Sequence, residues 1–355
     1  MKSHQNTFKT INHEVVIKHP GEEDSVRAIL TERQNEAGLP VGYSMNVFSV
    51  ICLEEVCKII PVKLFWNNIG VYERYELEAG KTLEKYEADL FEPQDYEKLN
   101  YILADDNSPF KDVYYDDILT APDEHGEEGV DALSGATALE LDDKDTVRGA
   151  ALTCFTLWHW ANGEVVSIIK NQTGKSVSLE QLKMFILNEN NTYFHIALKE
   201  LINRNIYSKE VLNTVIKKVL KTPSLTNSAF KYVDKALQEN YFYAVNRLFF
   251  EGGKIHRLAA IKSLVDTDYS IEKAYLDNFG KQLTQVDSYQ EVAALLDLLE
   301  LKNKNSASVI ETAIQLLDED FLKARKAYWV LKTKSLTPTQ QARVDKFYEK
   351  YQSRL

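Results

Sequence analysis

The spacing of hydrophobic residues divides the chain into a strand-rich part and a helical part. Between residues 43 and 77, short runs rich in β-branched and aromatic residues (MNVFSVIC, VCKIIPVKLFW and GVYERYEL) alternate with turn signals such as Asn67-Asn68. This pattern predicts an antiparallel meander. The residues before Tyr43 are polar and mixed, and we expect one element among them, a short helix that starts at residues 25–30 and ends near residues 38–40.

Three elements are predicted between the meander and the helical part. Residues 93–104 carry an apolar stripe at helical spacing, which predicts an α-helix. Residues 144–162 predict a second helix, with carboxylates at its start and an Asn-Gly pair at its end. The run EVVSIIK then predicts a short strand, and residues 174–178 a linker.

From residue 179 onward the apolar positions follow a helical period, and strand signals are absent. Short polar breaks separate the amphipathic segments, and paired helices with short turns are typical of an α-solenoid. The stretches KIHRLAAIKSLVDTD and DFLKARKAYWVLKTK resemble helices of HEAT repeats. The expected helices span residues 179–188, 192–204, 208–221, 226–239, 241–250, 254–265, 270–284, 288–301, 306–317, 319–334 and 338–352.

The predicted fold class is therefore α+β, with a small antiparallel-sheet domain followed by an all-α, HEAT-like solenoid. The expected boundaries are an N-terminal segment at 1–44, an α+β domain at 45–177 and a helical-repeat domain at 178–355. A chain of 355 residues is long enough for two or three domains.

The net charge of −11 excludes a generic nucleic-acid binder, which needs a basic surface. The charge is unevenly distributed, since residues 1–178 carry a net −16 and residues 179–355 a net +5. No apolar run approaches the roughly 18 residues of a membrane-spanning helix. We therefore expect no transmembrane segment, and peripheral membrane association stays open. The first residues lack the apolar stretch of a signal peptide, which taken literally indicates a cytoplasmic protein.

Three cysteines do not form a disulfide framework or a zinc spacing. Cys52 and Cys57 flank a tight turn, where cross-strand thiols come within bridging distance. They form either a disulfide or a pair of small, half-buried hydrophobic residues. Cys154 lies on the apolar face of a predicted helix, and we expect it to be buried and inert.

The sequence DALSGAT at residues 131–137 is the one sharp chemical signal. It resembles the D-x-x-[ST]-G-A-T motif of the FMN-binding domain family, which includes flavin-bearing subunits of electron-transfer complexes. The resemblance implies that Thr137 is esterified through its hydroxyl to the phosphate of FMN by a flavin transferase that uses FAD. It implies that Asp131, Ser134, Gly135 and Ala136 form the recognised turn at the cofactor and that Asp131 also serves the transferase step.

The resemblance covers about residues 45–175 and leaves the helical part outside. Strands, then DALSGAT, then the helix VRGAALTCFTLWHWANG match the order of parts in the family. Glycine permits close approach of a phosphate, whose charge favours backbone N–H donors. Two features depart from the pattern: Ala-Leu-Glu follows the acceptor threonine, and the TPG-type turn of several members is absent.

Several aromatic residues are candidates to contact the flavin ring, and each has core packing as its alternative. They are Trp66, Phe155, Trp158, His159 and Trp160. No general acid, base or nucleophile stands out, so a redox carrier or subunit is favoured over a stand-alone enzyme.

Three functional hypotheses follow. The first is an electron-transfer flavoprotein with covalent FMN, matured by a flavin transferase, with an unidentified redox partner; the family resemblance then implies an extracytoplasmic, periplasmic location. The second is a non-catalytic protein-protein interaction scaffold with a degenerate flavin domain. The third is a flavin reductase that binds its flavin noncovalently.

Overall fold

The computed structural model divides the chain into two compact units. The first comprises Met1–Phe185 with Asn190–Glu200, and the second Ile186–Glu189 with Leu201–Leu355. The residues that the structure describes are 8–20, 25–49, 60–85, 89–113, 118 and 144–355.

A five-stranded antiparallel sheet opens the first unit, and its strands are neighbours in chain order. They are β1 (Lys9–Lys18), β2 (Ser25–Gln34), β3 (Pro40–Phe48), β4 (Pro61–Asn67) and β5 (Tyr72–Leu77). The predicted meander is confirmed and is longer than expected, because β1 and β2 lie within the stretch assigned to an N-terminal segment.

The predicted helix that starts at residues 25–30 is wrong, because residues 25–34 belong to β2. Its inward side chains alternate with outward ones, and Leu30 pairs with Met45 of β3, which in turn pairs with Leu64 of β4. All three side chains are buried. Pairing with two neighbouring strands outweighs the helical preference of this short run.

The turn between β4 and β5 lies at the predicted Asn67-Asn68. The Asn67 side chain accepts hydrogen bonds from the backbone N–H groups of Ile69 and Val71, at 3.0 Å each. Gly70 has a φ of +82°, and a Cβ at this position would lie 2.9 Å from the Val166 side chain. Glycine is therefore required both for the left-handed conformation and for the close approach of a helix.

Helices follow the sheet in the first unit, and the last two of them end in residues assigned to the second unit. They are α1 (Pro93–Ala104), α2 (Ala151–Asn162), α3 (Glu164–Ser176), α4 (Leu179–Leu187) and α5 (Asn191–Asn203). The helix predicted at 93–104 is confirmed, and those predicted at 179–188 and 192–204 agree with α4 and α5 to within a residue. One contiguous hydrophobic core joins the inner face of the sheet to α1, α2 and α3.

Helix α2 starts later than the predicted residue 144. Residues 144–150 form turns, and Gly149 has a φ of +73°. The helix therefore begins at Ala151, beyond this left-handed position, and ends at Asn162 as predicted.

The predicted strand EVVSIIK is wrong, since it forms the first half of α3. Its β-branched residues favour a strand, but the buried positions Val165, Ile169 and Thr173 are spaced by four residues, as on one face of a helix. The linker predicted at 174–178 is wrong as well. Gly174 is a buried residue of α3 at which a Cβ would lie 3.2 Å from Cβ of Glu200.

The second unit consists of helices. They are α6 (Lys209–Lys221), α7 (Thr226–Val233), α8 (Gln238–Glu251), α9 (Lys254–Asp266), α10 (Lys273–Gly280), α11 (Tyr289–Lys302), α12 (Ala307–Gln315), α13 (Phe321–Leu331) and α14 (Pro338–Tyr351). The predicted helices are confirmed, except that the break expected near residue 240 lies at 234–237 and the helix expected at 270–284 is shorter, Lys273–Gly280.

These helices stack in two layers. Helices α6, α8, α10, α12 and α14 form one layer, and α7, α9, α11 and α13 form the other. The first-layer helices begin about 30 to 35 residues apart, a spacing typical of helical repeats and shorter than that of HEAT repeats. The predicted α+β class with a solenoid-like helical part is thus confirmed.

Side chains tie each repeat to the one before it. Asn240 donates to the backbone carbonyl of Tyr207, and Tyr269 donates to that of Ala236. These bonds satisfy carbonyl groups at helix ends and loops. Each repeat is therefore held mainly by its neighbours, as in other solenoids.

Candidate functional site

The residues of the predicted attachment motif lie outside the described part of the chain. They are Asp131, Ser134, Gly135, Ala136 and Thr137. Cys52 and Cys57 also lie outside it. The described residue that follows the motif is Lys144, seven positions before α2 begins. The candidate site is therefore built from α2 and the elements that surround it.

Two of the candidate ring contacts are satisfied core residues. Trp66 of β4 is fully buried, and its indole N–H donates to the backbone carbonyl of Ala161 at 2.7 Å. Trp158 of α2 is also buried and donates to the backbone carbonyl of Asp105 at 2.8 Å. These bonds fix α2 to the sheet and to the end of α1. Both tryptophans therefore have a role in core packing, which was the alternative to contact with a flavin ring.

Phe155 and His159 lie one turn apart on α2, with ring centroids 4.3 Å apart. Phe155 is buried, and the His159 ring also meets Trp158 edge-on at 5.0 Å. Burial lowers the pKa of His159, although a hydrogen bond with the backbone of Phe110 opposes the shift. The imidazole is consequently neutral at pH 7, and its Nε2 atom is buried with no hydrogen-bond partner in the described part of the chain.

Two more polar atoms of α2 share this condition. The Thr156 hydroxyl and the Trp160 indole N–H are buried and have no hydrogen-bond partner among the described residues. Thr156 and Trp160 are four residues apart and so lie on one face of the helix. Such atoms cost free energy unless a ligand, water or another part of the chain satisfies them.

The unpartnered atoms fit the hydrogen-bonding chemistry of a flavin. The edge of a flavin ring carries carbonyl oxygens and ring nitrogens, which hydrogen bonds from the protein tune. The Trp160 indole N–H can only donate, and the Thr156 hydroxyl can donate or accept. The neutral His159 Nε2 can only accept, because the other ring nitrogen donates to the Phe110 backbone. The faces of Trp66 and Trp158 are occupied by core packing, so the fit rests on polar atoms and not on ring stacking.

The remaining titratable groups near α2 indicate structure. Cys154 is a buried thiol whose Sγ accepts a hydrogen bond from the backbone N–H of Val147 at 3.4 Å, in line with its expected inert role. No cluster of three or more potential metal ligands occurs within the described ranges. None of the helices found there is long and apolar enough to cross a bilayer, in line with the sequence prediction.

The sheet contains a buried carboxylate that the sequence pattern did not predict. Glu32 of β2 is fully buried and accepts from Gln34 at 2.7 Å and from Ser176 at 2.8 Å, and it pairs with His13 at 2.8 Å. The signal was its place among the inward positions of an alternating strand, which the helix prediction for residues 25–30 obscured. Its three partners lie on β1, β2 and α3, so the carboxylate holds α3 against the sheet.

Comparison of the chain with protein-family models, with curated proteins and with solved structures finds no match.

Proposed function

We propose that this protein is an electron-transfer flavoprotein with FMN attached covalently at Thr137. The observation that carries the proposal is the sequence DALSGAT at residues 131–137, together with its place between a strand meander and a helix. When bound, the flavin supplies the redox chemistry. The chain would act as a carrier that exchanges electrons with a redox protein, and not as a stand-alone enzyme.

The attachment step can be balanced atom by atom. The Thr137 hydroxyl oxygen forms a bond to the FMN phosphorus of FAD, the pyrophosphate bond breaks, and AMP leaves as the hydroxyl loses its proton. Flavin transferases of this type act mostly outside the cytoplasm, so we propose a periplasmic location, with the cytoplasm as the alternative.

The unpartnered polar atoms of α2 support the proposal. Trp160 Nε1, Thr156 Oγ1 and His159 Nε2 supply hydrogen-bonding atoms that a ring edge requires. Because burial lowers the pKa of His159, the imidazole adds no positive charge to the ring's surroundings at pH 7.

The intact mass of the denatured protein tests the attachment. Co-expression with an active flavin transferase should add about 438 Da, the mass of FMN less water. Thr137→Ala should abolish the adduct, whereas Thr82→Ala, an exposed threonine outside the motif, should retain it. Absence of the adduct in the parent chain, with the transferase active on another substrate, would refute the proposal.

A scaffold function is the second candidate, favoured by the large hydrophobic side chains that the helical stack exposes. Leu237 is 75% exposed, Leu301 62% and Trp329 47%. Exposed apolar side chains on stacked repeats can contact a protein partner. Visible absorption separates the candidates, because a flavoprotein shows the absorption band of flavin and a scaffold does not. A noncovalent flavin reductase would show the band but release its flavin on denaturation.

A further inference from the structure

A cleft of about 240 Å³ lies between α3 and α5 in the first unit. Its floor contains Gly174 of α3 and Ile196 of α5, both buried. A Cβ at Gly174 would lie 3.4 Å from Ile196 Cγ2, so the missing side chain lets the two helices approach closely. The cleft is smaller than the roughly 300–1,000 Å³ of sites for drug-sized ligands, and it suits a small molecule.

Polar side chains with N–H or O–H donors form the walls. Three come from α3 and three from α5, at positions spaced by three or four residues on one face of each helix. They are Ser167, Lys170, Asn171, Thr192, His195 and Lys199. The Ser167 hydroxyl already donates to the Glu164 carbonyl at 2.9 Å, so two ammonium groups, the Thr192 hydroxyl and the Asn171 amide are the donors open to a ligand.

The charge of the cleft is predominantly positive. In the described part of the chain, neither Lys170 nor Lys199 forms an ion pair. Glu200 is the single acidic residue that lines the cleft, and its side chain is 7% exposed. An anion would neutralise this positive charge.

We propose that the α3–α5 cleft binds a small phosphorylated compound through its phosphoryl group. Phosphate oxygens accept several hydrogen bonds at once, and lysine is a common phosphate ligand. Lys170 and Lys199 supply the charge, and Asn171 and Thr192 supply neutral donors. The ligand is distinct from the proposed flavin, and binding does not depend on flavin attachment.

Isothermal titration of the full-length chain with inorganic phosphate at low salt tests the site. We expect saturable binding that weakens at least tenfold when Lys170→Gln and Lys199→Gln are combined. The matched control combines Lys81→Gln and Lys98→Gln, two lysines of the same unit outside the cleft, and should bind as the parent does. Both double variants change the net charge equally, so their difference isolates the site from general electrostatics.

Glu200→Gln should change the affinity for phosphate in the opposite direction to the lysine substitutions. Removing a carboxylate beside a bound anion should strengthen phosphate binding severalfold, whereas a cation site would be weakened. Far-UV circular dichroism establishes that each variant is folded. No saturable binding up to about 10 mM phosphate, equal loss in both double variants, or equally tight binding of acetate would overturn the proposal.

Discussion

At the scale of single residues, the buried carboxylate of Glu32 joins three elements. It accepts from Gln34 on its own strand and from Ser176 of α3, and it pairs with His13 of β1. A second chain of bonds runs beside it. The Thr173 hydroxyl donates to the Asn68 carbonyl at 2.6 Å, so at the 2.9 Å contact the Tyr43 hydroxyl is the donor.

Replacement of Glu32 by alanine should lower the free energy of unfolding by about 3 kcal/mol, because buried donors lose their acceptor. Urea denaturation followed by tryptophan fluorescence measures the change. Three of the four tryptophans, Trp66, Trp158 and Trp160, lie in the unit that contains Glu32.

Glu76→Ala is the matched control, because Glu76 lies on the outer face of the same sheet and is exposed. Its loss should change the free energy by less than about 0.5 kcal/mol. Equal effects of the two substitutions would contradict the structural role of Glu32.

Sequence patterns predict which residues are apolar and buried more readily than which polar residues are buried. The inward positions of β2 include Leu30 and also Glu32 and Gln34, while Ile29 points outward and is 47% exposed. The strand therefore has polar residues on its buried face and an apolar residue on its exposed face. The partners of the carboxylate come from sequence positions as distant as Ser176. Only tertiary structure brings them together.

At the scale of elements, helices with a clear apolar stripe were predictable and short β-branched runs were not. The segment at 93–104 and most of the helices after residue 179 have the expected bounds. EVVSIIK forms a helix because packing of Val165 and Ile169 in the core overrides local preference. The cleft escaped prediction for this reason, since Lys170 and Gly174 share a face only in a helix.

The ion pair between Arg257 and Glu291 joins α9 to α11 in the second unit. The Arg257 Nε lies 2.6 Å from the Glu291 carboxylate, which is buried and also accepts from the Ser288 hydroxyl at 2.6 Å. Burial acts to raise the pKa of Glu291, but the hydrogen bonds from Ser288 and Arg257 outweigh it and hold the pKa below the ordinary value.

Glu291→Gln should lower the free energy of unfolding at pH 7 by about 2 kcal/mol. Since the folded pKa lies below the unfolded one, the charged group stabilises fully above the unfolded pKa. This stabilisation is lost as the pH falls through the folded pKa, so the gap between parent and variant should close below about pH 4. Urea denaturation followed by circular dichroism at several pH values measures it.

Glu239→Gln provides the control within the same unit. Glu239 pairs with Lys209 at the same distance of 2.6 Å, but both side chains are largely exposed. Solvent screening should leave its loss without measurable effect at any pH. A pH-independent gap for Glu291→Gln would show that the pair acts through packing and not through charge.

At the scale of the whole molecule, the two units are built on different principles. The sheet and helices of the first share one contiguous core, whereas each repeat of the second packs against its neighbours. The sequence predicted both architectures from periodicity. It also contains the attachment motif as seven adjacent residues. The atoms of α2 that fit a flavin could not be predicted from the sequence, because only the structure shows that they are buried without hydrogen-bond partners.

Hydrogen exchange of the full-length chain, read by mass spectrometry, should distinguish the two architectures. Glu32→Ala should increase exchange across β1, β2, β3 and α3 together, because one core couples them. Glu291→Gln should increase exchange in α9 to α12 and leave α6 unchanged, because nearest-neighbour contacts transmit the loss only to adjacent repeats. Increased exchange that extended evenly to α6 in Glu291→Gln would contradict this assignment. Increased exchange that stayed within β2 alone in Glu32→Ala would contradict it as well. The pattern therefore tests whether cooperativity follows the contacts, independently of what either unit binds.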